Sequence, residues 1–295
     1  MLKHSDRYLN GVLNMNFKQF LHDQIDECVV AAIKLENGVF LAKNRDRGYK
    51  ARVEVLHKLI RGTEVVLWHD LDTDWSEGIN EHGIGIVNSS LLVKKDEKES
   101  QNVNDKKAKI DKKRHTTDGK RIRNALGYKT IKNVVDCLLG KKNGGQAVKG
   151  QTIVSDGKEI YVLEVPARFE PVVEKIKSDV VVRTNHGIHH KKVGYIYGKK
   201  KISSHTRLDL TQKNLEKISK SEEILPTLRR KYQSDPFLNP YRIKNPFNMQ
   251  TTGQILMDLR NRHVTIRMDR KQGSFEGVKN LLPKGYKNKI HLTVE

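Results

Sequence analysis

The chain has 295 residues, with 56 Lys and Arg against 35 Asp and Glu, and a net charge of +21. This length allows one large domain or two small ones. It contains no run of about 18 apolar residues, which argues against a membrane-embedded protein, and its recurring apolar stretches argue against disorder. With only Cys28 and Cys137, a disulfide scaffold is excluded and a reducing compartment is expected.

The charge first suggests a nucleic-acid partner. The sequence lacks zinc-finger spacing and an RNP-like aromatic run, and 6% of its residues are aromatic. Residues 94–123 hold twelve Lys or Arg against six Asp or Glu with few apolar residues, which predicts a charged, mobile surface loop. The first 27 residues lack the apolar core of a signal peptide, so a cytoplasmic protein is expected.

Hairpin patterns recur along the chain. Residues 28–34 predict a strand, Asn37-Gly38 a tight turn, and residues 39–42 the return strand. The further predicted elements follow in chain order: strands at 64–68 and 84–87, a helix at 128–139 ended by Gly140, a hairpin at 151–165, a strand at 180–183, a helix at 205–220 capped by Ser204, and a hairpin at 254–269 with its turn near Asn261. Strands at both ends with helices between them predict an α+β fold.

Cys28 opens the first apolar strand, and the return strand ends in Lys43-Asn44-Arg45-Asp46-Arg47. A turn centred near position 37.5 places Cys28 opposite about residue 47. An acid and two arginines beside a cysteine form a setting that favours the reactive thiolate and orients a ligand. From the spacing alone, Cys28 could equally be an inert buried thiol, with Asn44-Arg45-Asp46 forming a turn that contains a salt bridge.

Four motifs in order carry a resemblance to a known family. Cys28 followed by Lys43-Asn44-Arg45-Asp46 resembles the start of the N-terminal nucleophile hydrolases, in the branch of choloylglycine hydrolases and acyl-CoA:6-aminopenicillanate acyltransferases. The other three motifs are Glu-Gly-Ile-Asn-Glu-His-Gly-Ile-Gly-Ile-Val-Asn-Ser-Ser at 77–90, Arg-Thr-Asn-His-Gly at 183–187 and Ser-Ser-His-Thr-Arg at 203–207. Each motif alone is weak, but together they span residues 28–207.

The resemblance implies a four-layer αββα fold with two stacked antiparallel sheets. It implies that residues 1–27 are a pro-segment, cut between Glu27 and Cys28, and that residues 28–295 form one catalytic domain. The implied enzyme hydrolyses a linear amide through a thioester on Cys28, with acyl transfer to an amine as the close variant. The freed α-amine of Cys28 would be the general base, since an α-amine titrates near neutral pH. The alternative is a basic protein that binds nucleic acid or another polyanion and keeps the fold without catalysis.

The resemblance also implies roles for individual residues. Asp46 would hold the Cys28 amine or thiol, Asn185 and Asn88 would contribute to the oxyanion site, and Arg207 would stabilise the site electrostatically. Either Lys43 or Arg45 would take the role of a family arginine, because the branch that cleaves bile salts has an arginine in this segment. The supporting residues are Asn44, which belongs to the same motif, His186 beside the pocket, and Ser204, which would cap a helix and position Arg207.

The histidines His186, His189, His190 and His205 raise the question of a metal site. His189 and His190 are adjacent and would point to opposite faces of a strand, and no Cys or acid lies at ligand spacing beside them. Neither a metal nor a cofactor is predicted. The expected partner is a small-molecule amide. The sequence leaves open a homo-oligomer and a contact with nucleic acid or another polyanion.

Overall fold

A computed structural model of the protein describes residues 27–91, 117–142, 145–167, 169–195, 198–243, 249–269 and 271–295. In this part of the chain the fold is α+β, with two large sheets and few helices. The predicted pro-segment before Glu27 and residues 94–116 of the predicted charged loop lie outside the described residues. None of the described helices has the length and apolar character needed to cross a membrane.

The first sheet has six strands, and Cys28 directly precedes the first of them in the chain. Its six strands are β1 (Val29–Leu35), β2 (Gly38–Arg47), β10 (Val180–Arg183), β11 (Gln250–Asp258), β12 (His263–Met268) and β14 (His291–Val294). The spatial order is β10-β1-β2-β11-β12-β14. Each pair is antiparallel except β12 and β14, which run parallel.

The second sheet is built mostly from consecutive antiparallel strands. Its eight strands are β3 (Ala51–Ile60), β4 (Thr63–Asp70), β5 (Ser76–Asn80), β6 (Gly85–Ser89), β7 (Gly150–Ser155), β8 (Ile160–Val165), β9 (Val172–Ile176) and β13 (Gly273–Asn280). β13 pairs in parallel with β3 at the edge. The expectation of two purely antiparallel sheets is therefore corrected: the C-terminal strands β13 and β14 make both sheets mixed.

Both sheets are apolar on two faces, which explains the unbroken apolar runs of the sequence. Val30 and Leu41 of the first sheet pack with Val66 and Trp68 of the second in one buried core. The opposite faces meet the helices, which are α1 (Asp118–Leu126), α2 (Ile131–Leu138), α3 (Gly198–Leu215) and α4 (Ile224–Arg229). Residues of α1 and α2 share a core with the second sheet, and residues of α3 and α4 share one with the first.

The hairpins predicted at 151–165 and 254–269 are confirmed as β7–β8 and β11–β12. The first hairpin is confirmed with a shifted turn, since Leu35 pairs with Gly38 and the two turn residues are Glu36 and Asn37. In this register Val29 faces Asn44. Cys28 therefore faces residue 45, and the expected pairing with about residue 47 is wrong by two positions.

The predicted helix at 205–220 is wrong at both ends. α3 begins at Gly198 and ends at Leu215, so Ser204 lies inside the helix and does not cap it. The helix buries Ser203, Arg207 and Thr211, which recur every four residues along one face. Because this face is polar, apolar periodicity could not locate the helix.

The predicted surface loop at 94–123 is wrong in its last part. α1 begins at Asp118, and the Thr117 hydroxyl accepts a hydrogen bond from the Lys120 N–H at 3.1 Å, which is a regular N-cap. Ile122 and Ala125 of this helix are buried in the core of the second sheet. The predicted helix at 128–139 is confirmed in a shorter form as α2, with Thr130 as its N-cap.

Candidate active site

Cys28 lies at the head of β1 and is 1% exposed. Nη1 of Arg47 lies 3.9 Å from its Sγ, and Nη1 of Arg207 donates a hydrogen bond to its backbone carbonyl at 3.2 Å. The thiol thus has one buried guanidinium beside it, while a second holds the main chain.

Alternate residues of β2 point between the two sheets. Lys43 and Arg45 both pair with the buried carboxylate of Glu77, and the Arg45 guanidinium stacks on Trp68 at 3.7 Å from the ring centre. Although burial acts to raise it, these two cations hold the pKa of Glu77 below its usual value. Lys43 and Arg45 are therefore engaged by Glu77, and it is Arg47 that contacts the thiol.

Asp46 points to the opposite face of β2. Its Oδ1 accepts a hydrogen bond from the Thr251 hydroxyl at 2.6 Å. Its Oδ2 lies 3.9 Å from Nη1 of Arg207 and 3.7 Å from Nε of Arg242, and accepts no hydrogen bond from the described part of the chain. Burial raises the pKa of Asp46 to about 6, against the lowering effect of the two arginines.

Glu27, the residue before the predicted cleavage point, is completely buried. Its carboxylate pairs with Nη1 of Arg242 and lies 3.6 Å from Nη2 of Arg207. Lys200 approaches the same carboxylate at 3.9 Å. Two carboxylates, of Glu27 and Asp46, and two guanidinium groups, of Arg207 and Arg242, therefore form one buried cluster, which we call the arginine cluster.

Arg207 connects this cluster to Asn185. Its Nη2 donates to the Asn185 side-chain oxygen at 3.0 Å, and burial, followed by the repulsion of Arg242, lowers the pKa of Arg207 to about 10. The Asn185 amide nitrogen lies 3.1 Å from the Ser90 carbonyl. The motifs at 183–187 and 203–207 thus meet at Arg207, which also holds the carbonyl of Cys28.

Asn88 and Asn44 have structural partners elsewhere. The Asn88 side-chain nitrogen donates to the Lys149 carbonyl at 3.2 Å and to the Thr152 hydroxyl at 2.6 Å, so both of its N–H groups are used. The Asn44 nitrogen donates to the carbonyls of Leu228 and Pro240 at 2.9 and 2.8 Å. Asn44 therefore fixes the α4 segment to β2.

Ser204 supports the loop that carries Asn185. Its hydroxyl accepts from the Asn185 backbone N–H at 3.0 Å and lies 2.8 Å from Nδ1 of His186. The His186 ring stacks on His205, with 3.7 Å between the ring centres. Burial, together with electrostatic repulsion from His205 and Arg207, lowers the pKa of His186 to about 4.

His186 is expected to make the protein less stable in mild acid. The unfolded chain takes up a proton at His186 near pH 6.5, whereas the folded chain resists protonation until about pH 4. Stability contributed by the neutral ring is therefore lost as the pH falls from 6.5 towards 4. Urea unfolding of His186→Asn across this range is expected to show a shallower decline than the wild type, and parallel declines would contradict this assignment.

His189 and His190 do not converge with His186 and His205. His189 lies 3.2 Å from a Glu174 carboxylate oxygen and His190 lies 3.1 Å from the Glu170 carbonyl. Among the described residues, no group of three or more His, Cys, Asp or Glu is arranged to hold a metal ion. Two surface cavities, of about 490 and 690 Å³, are lined by other residues than the arginine cluster and Cys28.

Three residues of this region had no role assigned from the sequence: Glu77, Tyr195 and Arg242. Arg47 was expected beside Cys28 as one of two arginines, and strand alternation places it on the same face as Lys43 and Arg45. Glu77 lies within a quoted motif without an assigned role. Arg242 and Tyr195 had no signal, since nothing in the sequence connects these positions with Cys28.

No model of a known protein family matches the chain, and no curated protein matches it. The function of the chain must therefore be inferred from the geometry around Cys28 and from the sequence motifs.

Proposed function

We propose that the protein is a self-processing cysteine hydrolase of the N-terminal nucleophile type, which cleaves a linear amide. One observation carries the proposal: residues from distant motifs meet beside a cysteine that directly precedes an inner strand of the first sheet. Arg207, 179 positions away in the chain, binds the Cys28 carbonyl and also Asn185. Asp46 and Glu27 face the same guanidinium.

The layered arrangement supports a four-layer αββα fold of this class. The two sheets share one core, and helices share separate cores with their outer faces. In this proposal residues 28–295 form the catalytic domain, and residues 1–27 are the pro-segment.

Activation begins with the Cys28 thiol. Its sulfur attacks the carbonyl carbon of Glu27, the C–N bond to Cys28 breaks, and the thiol proton passes to the released α-amine. Water then hydrolyses the thioester, which yields the free α-carboxylate of Glu27 and restores the thiol of Cys28. Since an internal peptide nitrogen is not basic, only this step creates a base with a pKa near neutrality beside the nucleophile.

The same chemistry serves the substrate. The α-amine takes the thiol proton while sulfur attacks the amide carbonyl, and the leaving amine receives that proton. Water, or an acceptor amine in the transfer variant, then releases the acyl group from Cys28. Arg47 lies beside the attacking sulfur. Asp46 accepts a hydrogen bond from the new α-ammonium through its unused Oδ2, and Asn185 contributes to the oxyanion site by turning its amide nitrogen away from Ser90.

Mass spectrometry of the purified protein tests this proposal. The wild type is expected to have lost residues 1–27, and Cys28→Ala is expected to stay intact. Cys28→Ser is the matched control, because a hydroxyl of similar size keeps a weaker nucleophile. We expect it to be cut slowly at the same bond. Removal of the segment from Cys28→Ala at the wild-type rate would contradict self-cleavage.

The alternative drawn from the net charge makes the opposite prediction. A polyanion-binding protein without catalysis would keep its full length, ignore amide probes, and bind DNA with an affinity that falls steeply with salt. The mass measurement and one salt titration therefore separate the two functions.

A further inference from the structure

The Glu27 side chain occupies a buried anion-binding site. Its carboxylate is paired with Arg242 and lies 3.6 Å from Arg207, and all three side chains are fully buried. The Tyr195 hydroxyl is also buried and has no hydrogen-bond partner among the described residues, and burial together with the Glu27 carboxylate raises its pKa well above the usual value. All the residues that hold Glu27 belong to the part of the chain that remains after cleavage.

We propose that this site is the acyl pocket of the processed enzyme, and that the substrate acyl group carries a carboxylate where the Glu27 carboxylate lies. This inference rests on the proposed function. In self-cleavage Glu27 is itself the acyl group, because its carbonyl carbon becomes bonded to Sγ of Cys28. A substrate acyl group bonded to the same sulfur places its chain where the Glu27 side chain was.

The charges of the arginine cluster support an acidic acyl group. Before cleavage, the carboxylates of Glu27 and Asp46 face the guanidinium groups of Arg207 and Arg242. When Glu27 leaves, Asp46 alone faces both. An uncompensated buried guanidinium is strongly unfavourable, so the emptied site favours an anion.

The geometry of glutamate sets the length of the ligand. Three carbon atoms separate the Glu27 carbonyl carbon from its carboxylate carbon, and a glutaryl group has the same number. The substrate class is therefore an amide of a short dicarboxylic acid, of which a glutaryl amide is the closest match. Hydrolysis yields glutarate and the free amine, and consumes one water.

Glutaryl p-nitroanilide is the test substrate, and its control is the analogue in which the distal carboxylate is a primary amide. The two acyl groups have nearly the same size and differ in charge. For the self-processed wild type we expect kcat/KM to favour the acid by at least roughly 100-fold, because a buried charged site discriminates strongly against a neutral ligand. Arg242→Gln is expected to remove most of this preference.

Thermal unfolding with free glutarate gives a readout that needs no turnover. Glutarate is expected to raise the melting temperature of the processed wild type, because it binds only the folded chain. Pentanoate, which lacks the second carboxylate, is expected to leave the melting temperature unchanged. The uncleaved Cys28→Ala protein is the matched control, since Glu27 fills its site. We expect no shift there.

The outcomes separate this inference from the proposed function. A processed enzyme that hydrolyses both anilides equally, with no glutarate shift, overturns the acidic acyl pocket and leaves the hydrolase intact. A chain that stays uncut and hydrolyses neither anilide overturns the proposed function itself. If Arg242→Gln fails to fold, the anilide ratio and the glutarate shift of the wild type still decide.

Discussion

Asp46→Asn is expected to lower the turnover of amide substrates by roughly 100- to 10,000-fold, the usual contribution of a positioned acid–base group. The buried Oδ2 of Asp46 accepts no hydrogen bond from the described residues, so in the proposed mechanism it is available to the α-ammonium that cleavage would create. Asparagine keeps the shape and one acceptor oxygen but loses the charge that orients this ammonium. Folding is expected to survive, because the Thr251 hydroxyl can still donate to the amide oxygen.

The pH profile distinguishes this role from a purely structural one. The pKa of Asp46 is about 6 in the uncleaved chain, and the nearby Glu27 carboxylate contributes to raising it. Once Glu27 has left, Asp46 should ionise at a lower pH. We therefore expect wild-type kcat/KM to rise with pH through a limb below pH 6, and this limb to vanish in Asp46→Asn. Processing is scored separately by mass, and wild-type activity in the processed variant would remove Asp46 from the mechanism.

Glu77→Gln is expected to destabilise the fold by about 3–5 kcal/mol. Glu77 is the carboxylate that pairs with both Lys43 and Arg45, and all three side chains are buried between the sheets. Glutamine keeps the volume of the side chain but leaves two buried cations without their counter-charge. Because Arg45 also stacks on Trp68, the loss extends to the packing of the shared core.

Denaturant unfolding measures this effect. Glu159→Gln is the control, since Glu159 pairs with Lys175 at the surface, where side chains are 35% and 56% exposed. Exposed pairs contribute less than about 1 kcal/mol, so this variant should unfold nearly as the wild type does. Equal midpoints for the two variants would show that Glu77 does not hold the inter-sheet cations.

The sequence predicts well those features that depend on neighbours in the chain. The strand that follows Cys28 and the strand that carries Asp46 are joined by a short turn, so their pairing follows from local patterns. The two-position error arose because Glu36 and Asn37, not Asn37 and Gly38, form the turn. Asp46 was expected in the vicinity of Cys28, and the structure connects the two through Arg207, which lies 3.9 Å from the Asp46 carboxylate and donates to the Cys28 carbonyl.

Contacts between distant segments could not be predicted from a single sequence. Arg242 reaches Glu27 across 215 positions, and no residue pattern signals such a pair. α3 was misplaced for a related reason: its buried face carries the polar residues Ser203, Arg207 and Thr211. These residues remove the apolar period on which helix prediction depends.

The burial of both cysteines has a practical consequence. Cys28 is 1% exposed and Cys137 is fully buried, so an aromatic disulfide reagent added to the native uncut chain should find no thiol. We expect the proposed cleavage to expose Cys28 and to leave Cys137 in the core that α2 shares with the second sheet. The number of thiols per chain that react with the reagent then distinguishes the three forms: none in the uncut chain, one in the processed chain and two in the unfolded chain.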